Sequence, residues 1–566
     1  MIRLTWAQPE DLIGHELRQA AEDGRDAGPA ARAWTAAGGH PAPARAGASS
    51  TPAPPELRAL ATRLLAGLAA LPVPTADAEP TAWPALRATW PPAPARPPRP
   101  EPEPQPRPGT APGTSPAAHP GPTPEPLPGA APEPRPDTYP RSAPEPLPGA
   151  EPHPRPEPAP AAHPGPAPEP RPGAAPGPGA GVGARLGAGP GAGAGAAGGG
   201  FGADTAAAAA GTPNAGLRRR LEAAWIGRAV GCVLGKPVEK LPLEGIRALA
   251  RAAGNWPLAD WFTARHVPPE LLAAYPWNRR SAPTSLAENI DGAPEDDDLD
   301  HPLLALLLLQ RHGKRFTTDD LARLWLDELP AGRTFTAERV AYRNLLLGLE
   351  PPATATHHNP FREWIGALIR ADVHGWTNPG DPAAAAEQAY RDAALTHTAN
   401  GVYAALFAAA TIAEAAGGRS DVHTALRAGL SVVPPRSRLA DAVRFGIRTA
   451  RAEADFDRVV DRLHACYGHY HWVHALPNTA LIAAALTHAD GDFTHSVCRV
   501  VSGGWDTDSN GATAGSVAGL LAGSPDRLPE RWTAPLKNRL RTTVAGFDGV
   551  GFDTLAHLTA QEAARS

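Results

Sequence analysis

Two short stretches gather carboxylates more densely than a solvated surface requires. Residues 295–300 read EDDDLD, so Glu295, Asp296, Asp297, Asp298 and Asp300 fall within six positions, directly before the apolar run HPLLALLLLQ. Residues 505–510 read WDTDSN, which sets Asp506, Asp508, Ser509 and Asn510 ahead of a run of glycine, alanine and small hydroxyl residues. A carboxylate at a helix N-terminus accepts a free backbone N–H and sits at the positive end of the helix dipole. Capping uses one or two such groups, not five. If the two N-termini converge, Asp296, Asp297, Asp506 and Asp508 repel one another unless protons or cations neutralise them. An all-oxygen set suits a hard divalent ion, magnesium or manganese rather than zinc, and carboxylates shared between sites leave room for two ions. The acids are nearly consecutive, which excludes the spaced ligands of an EF-hand loop.

Other reactive residue types point less sharply. Cys232, Cys466 and Cys498 have no paired spacing, so neither a disulfide framework nor a sulfur-rich zinc site is indicated. His469, His471 and His474 in HYHWVHALPNT have the side chains of a zinc site, and an aromatic loop accounts for them as well. GCVLGKPVE contains Lys236 but lacks the glycine-to-lysine-to-hydroxyl spacing of a phosphate-binding loop.

The elements that must position these groups are helical. Gly511, Gly515 and Gly519 recur every four residues and leave one face of the helix after Asp508 nearly bare, so a neighbouring backbone can approach closely. That packing offsets the cost of glycine in a helix. Segments such as LRRRLEAAWIGRAVGCVLG, NGVYAALFAAATIAEAAGG and GATAGSVAGLLAG predict an all-α domain over residues 215–556, with roughly ten or more helices. Residues 1–90 predict a small helical region with amphipathic helices in PEDLIGHELRQAAEDG and PPELRALATRLLAGLAAL, either a module of its own or docked on the main domain. Its scattered acids and arginines read as solvated faces. Between them, residues 91–214 read as a disordered Pro/Gly/Ala-rich linker. Of 70 prolines, 37 lie between residues 91 and 190, with too few large apolar side chains to offset backbone ordering. Recognition of this segment by a proline-binding protein is the alternative.

Charge and hydropathy narrow the function classes. A net charge of -5, from 53 basic and 58 acidic residues, gives no general electrostatic reason for a nucleic-acid partner. The N-terminus lacks a basic head followed by an apolar stretch, and the run LLALLLL is too short to span a bilayer, so no membrane association and a cytoplasmic location are expected.

Three distant segments together resemble the ADP-ribosylglycohydrolase family, including enzymes similar to the dinitrogenase-reductase-activating glycohydrolases. GRAVGCVLGKPVE (227–239) is similar to the family's glycine-rich segment ending in glutamate. EDDD (295–298) is similar to its Thr-Asp-Asp-Thr, and GGWDTDSN (503–510) to its Gly-Gly-Asp-Thr-Asp-Thr-Asn. The resemblance covers about residues 218–540. It implies a compact orthogonal multi-helical domain, two magnesium ions, and cleavage at the anomeric carbon of ADP-ribose. Carried over position by position, it implies Glu295, Asp296, Asp297, Asp506, Asp508 and Ser509 as metal ligands. Asp296 or Asp297 would accept a proton, and Glu239 would sit by the substrate ribose. Asn359 falls near the family's substrate loop and also fits a plain Asn-Pro turn. His397 either approaches a phosphate or closes a helix end. Cys232 stands where the family usually has aspartate, and reads as a small buried residue. Trp505 is inserted before Asp506, either lining the cleft against adenine or ribose or anchoring the core.

The expected function is divalent-metal-dependent hydrolysis of an N- or O-glycosidic bond, removing ADP-ribose from a protein or small conjugate. The alternative is a non-catalytic ADP-ribose or nucleotide sensor with a degenerate metal site, suggested by Glu295, Asp298 and Cys232 at positions where the family carries other residues.

Overall fold

The computed structural model describes residues 7–42, 52–91 and 215–565. The expected linker, with its proline-rich repeats and candidate proline-binding partner, lies outside the described residues apart from Pro91. Among the described residues the secondary structure is helical, and strand-like pairing is confined to the isolated bridges Ala293–Leu540, Trp364–His474 and Leu540–Val550. The domain is all-α, as its helical periodicity predicts. Its last helix, Phe552–Ala564, carries the fold past residue 556 and is tied in by Trp225, whose indole N–H donates to Thr559 Oγ1 at 3.0 Å.

One helix pair organises the molecule. The Ala215–Gly235 helix and the Thr507–Ala522 helix run antiparallel with their backbones in contact. Gly227 faces Gly515, Gly231 faces Gly511, and Gly235 faces Thr507. A Cβ on Gly231 would lie 1.8 Å from the Gly511 carbonyl oxygen, and one on Gly515 would lie 2.0 Å from that of Gly227. Only hydrogen fits at these positions, and the four-residue repeat keeps the fit for several turns. The antiparallel sense brings the C-terminus of the first helix to the N-terminus of the second. Gly235 therefore touches the turn that holds Asp508, and Thr507 Oγ1 donates to the Gly235 carbonyl at 2.8 Å.

The Ala399–Ala416 helix is long and apolar enough to cross a membrane, but 89% of that window is buried inside the fold. It is a core helix, rich in alanine because small side chains let neighbouring helices close on it.

The two amphipathic N-terminal helices form at Pro9–Glu22 and Pro55–Ala69, joined by a further helix at Gly28–Ala36. These segments pack with residues 215–565 in one compact unit. Some of their charged residues, such as Asp26, Arg32, Glu56 and Arg63, do lie on solvated faces, but others do not. Glu16, Asp23, Arg25 and Glu79 are buried, and they interlock with Arg362, Glu363 and Arg438 of the main body. Arg362 reaches Glu16 and Asp23 at 2.7 Å each, and Arg438 reaches Glu79 at 2.8 Å and Glu363 at 3.0 Å. Helical spacing located these helices, while burial of their charges depends on a partner surface hundreds of residues away.

Candidate metal centre and active site

The acid-rich turns are built at helix N-termini. Asp296 is the N-cap of the Asp297–His312 helix, and its Oδ1 accepts from the Asp298 N–H at 3.0 Å. Asp506 occupies the corresponding place before the Thr507–Ala522 helix. The glycine-paired helices bring the second turn against the end of the Ala215–Gly235 helix, where Cys232, Lys236 and Glu239 follow one another.

Two groups of ligand atoms result. Cys232, Asp296 and Asp298 have atoms within 4.8 Å of one another, and so do Glu239, Asp506 and Asp508. Each could chelate a divalent metal. The groups share one electric field. Burial pushes Asp508 up to about 7, helped by Glu239 and Asp296 across the gap. Burial also raises Asp506 far above the carboxylate range, with Asp508, Glu239 and Asp298 adding to it. Asp297 is raised likewise by burial and then by Asp296, Asp298 and Asp508. Asp296 alone among them is held below its usual value: burial opposes its charge most, but Lys236 together with hydrogen bonds from the Asp298 N–H and Asp297 outweighs it. Carboxylates crowded and desolvated in this way favour protons or cations.

The remaining expected residues take varied places. Glu295 is half-buried and pairs with Arg333 at 3.0 Å, outside both groups. Ser509 is buried beside Asp508, and its N–H donates to Asp508 Oδ1 at 3.1 Å. Glu239 accepts from Asn278 at 2.7 Å and pairs with Lys240 at 2.6 Å. Trp505 has φ +58 and stacks flat on His464, with centroids 3.9 Å apart, while His464 Nε2 lies 2.8 Å from the Gly503 carbonyl. Asn359 is fully buried; its amide donates to the carbonyls of Ala355 and Thr396 at 3.0 and 2.8 Å, and its Oδ1 accepts from the Phe361 N–H. His397 is buried with Nδ1 2.5 Å from Thr396 Oγ1, and burial drives its pKa well below the usual histidine value. The acid clusters include neither of these two. His471 stacks on Trp364 and His474 caps the Ala475–Ala489 helix, so the histidine-rich segment is aromatic packing and helix capping.

Several residues at the centre carried no chemical reading in the sequence. Asn478, fully buried, accepts the Asp506 N–H at 3.1 Å and the Asn510 amide at 2.6 Å, and donates to the carbonyls of Trp472 and His474. It fixes the second acidic turn. Its signal was an amide inside the otherwise apolar run ALPNTALIAAAL. Arg228, also fully buried, donates to the Asp298 carbonyl at 2.8 Å and to Asp372 at 2.9 Å. Lys236 ion-pairs with Asp296. Asp300 is spent on the hydroxyls of Thr542 and Thr543. A cavity of about 460 Å³, lined by Trp256, Phe456, His488, Arg499 and Arg531 among others, shares no residue with either acid cluster.

The sequence profile of ADP-ribosylglycohydrolase matches residues 213–563, more than half of the chain. The chain belongs to the ADP-ribosylglycohydrolase family. A solved structure described as an ADP-ribosylglycohydrolase-related protein complex is 21% identical, with a TM-score of 0.38, over 61% of this chain and 97% of that one. No curated protein matches. Family membership and the two ligand clusters mark this chain as an enzyme and are consistent with a metal-dependent hydrolase acting on ADP-ribose.

Proposed function

We propose that this chain hydrolyses the N- or O-glycosidic bond at the anomeric carbon of ADP-ribose, releasing ADP-ribose from a protein or small conjugate in a magnesium- or manganese-dependent reaction. The observation that carries the reading is the meeting of Glu239, Asp506 and Asp508 within one 4.8 Å group, with Asp508 near enough to Asp296 and Asp297 to repel both. Three carboxylates in a desolvated corner form a hard, all-oxygen donor set that fits Mg²⁺ or Mn²⁺. A bound ion there would orient ribose hydroxyls and lower the pKa of a coordinated water.

The chain's own residues supply the rest. Asp506 and Asp508, with the Ser509 hydroxyl, hold the ligand corner, and Asn478 keeps its turn in register. Glu239, oriented by Asn278 and Lys240, faces the ribose. Asp296, paired with Lys236, is the proton acceptor, and the Asp297 side chain hydrogen-bonds to it. Glu295, committed to Arg333, borders the mouth. Trp505, stacked on His464, braces the turn before Asp506. Cys232, Cys466 and Cys498 are all free thiols, which suits a reducing cytoplasmic setting.

The second reading is an ADP-ribose or nucleotide sensor with a degenerate metal site; Lys236 against Asp296 is the observation that favours it. Full-length protein incubated with a panel of ADP-ribosylated proteins and small conjugates separates the two. Hydrolysis predicts magnesium-stimulated release of ADP-ribose that is lost in Asp506→Ala and Asp508→Ala. Calorimetric binding of ADP-ribose with no release from any conjugate would establish the sensor instead.

A further inference from the structure

The two ligand clusters differ in the positive charge the chain itself provides. In the first, Lys236 Nζ ion-pairs with Asp296 and donates to the Glu295 carbonyl at 3.4 Å. Arg228 lies 3.6 Å from Asp298 Oδ1 and donates to the Asp298 carbonyl. The third member, Cys232, is a soft, fully buried thiol and so a poor partner for a hard cation. The two carboxylates there meet Lys236 and Arg228, the latter shared with Asp372 at 2.9 Å. In the second cluster Glu239, Asp506 and Asp508 face Lys240, which pairs with Glu239 and is 42% exposed at its side chain. Three carboxylates there meet one partly solvated ammonium.

Lys236 is also placed rigidly. It follows Gly235 directly, and a Cβ on Gly235 would lie 2.3 Å from the Thr507 carbonyl group and 2.4 Å from the Asp508 nitrogen. The lysine therefore leaves the helix at the point of contact with the second acidic turn, with its side chain only 8% exposed. An ammonium is a compact charge with three donors, well suited to a carboxylate and a carbonyl together. A divalent ion entering the first cluster would have to displace it while also facing Arg228, and like charges at such separations are costly in a desolvated site.

We propose that Lys236 takes the place of a second metal ion, so that this chain binds one divalent cation, at Glu239, Asp506 and Asp508, and completes the charge of its centre with its own ammonium. The inference rests on the metal-centre reading above and concerns how many ions that centre takes. Lys236 acts as a positioning residue: its ammonium holds the Asp296 carboxylate and the Glu295 carbonyl in place whether or not an ion is bound next to it.

The test is a manganese titration of the full-length protein, free ion being read by electron paramagnetic resonance. One Mn²⁺ per chain is expected in the wild type and in Lys236→Arg, and a second class of bound ion is expected in Lys236→Ala, where Asp296 is released. Two ions in the wild type overturn the inference, as does an unchanged count of one in folded Lys236→Ala. If Lys236→Ala does not fold by circular dichroism, the wild-type count decides alone. A wild type that binds no ion removes both this inference and the metal-dependent reading, whereas a count of two removes only this one.

Discussion

Gly231 and Gly511 stand face to face with no room for a methyl group between them, each carbonyl occupying the space where the other's Cβ would go. This contact lets Glu239 and Lys236 meet Asp506 and Asp508. Exposed helical glycine replaced by alanine ordinarily gains up to ~1 kcal/mol. Here the sign reverses: Gly231→Ala and Gly511→Ala should each lose about 1–3 kcal/mol or more through overpacking. Gly67, in the Pro55–Ala69 helix with open space around it, is the control expected to hold or gain stability when changed to alanine. Urea unfolding of the three variants checks the contrast.

The same geometry makes Asn478 a support for the proposed metal centre rather than a ligand. Asn478→Ala should leave a folded, helical protein whose Mn²⁺ affinity falls about 10- to 100-fold, the usual effect of losing a group that orients ligands. Calorimetry with Mn²⁺ reads this directly. Unchanged affinity would mean that the turn holds its shape without the amide.

Arg438 joins Glu79 of the N-terminal region to Glu363 of the main body. Removing one partner from a mostly buried pair strands the others, at a cost of about 3–5 kcal/mol. Arg438→Ala should therefore lower the melting temperature and expose residues 7–91 to early proteolytic cleavage. A variant that melts and digests like wild type would show the region to be held by its apolar contacts alone.

This ionic cluster also sets a pH dependence. Burial pushes Glu22 up to about 8, with Glu363 and Asp23 adding to the rise and Arg18 and Arg438 opposing it. Burial likewise pushes Glu363 up to about 7, where Arg438 and Arg362 oppose and Asp23 and Glu79 reinforce. His474 Nε2 lies 3.5 Å from Glu22 and 3.8 Å from Glu363, and burial keeps the ring neutral. Both glutamates bind protons more tightly folded than unfolded. Their stabilisation is complete below the unfolded value near 4.5 and is lost as pH rises through about 7 to 8. Glu22→Gln should flatten the fall in stability between pH 5 and 8 relative to wild type, as followed by denaturant unfolding across that range; an identical slope would contradict the assignment.

Much of the centre was legible because acids adjoining apolar or glycine-spaced helices state a local problem whose solutions are few. The spacing of Gly511, Gly515 and Gly519 announced a close helix neighbour, and the repeat at Gly227, Gly231 and Gly235 supplies it. What was not legible depends on which distant surface a residue meets. Lys236 reads as an ordinary lysine until Asp296 is brought to it, and Arg228 reads as a helix-surface charge until Asp298 and Asp372 close over it. The acids and arginines of the first ninety residues looked solvated because nothing local marks Arg362 and Arg438 as their partners. Asn359 and His397 were attractive as polar residues in loops, yet the Asn359 amide bonds to nearby backbone and His397 Nδ1 to Thr396, a use that sequence does not separate from ligand binding.

The most direct test of the metal centre is a crystal structure of the full chain soaked in Mn²⁺, with anomalous scattering measured at the manganese edge. A peak bound by carboxylate oxygens of Glu239, Asp506 and Asp508, about 2.0–2.3 Å from them, is the predicted result. An ordered protein with no peak there, or with its only peak among His469, His471 and His474, would contradict it.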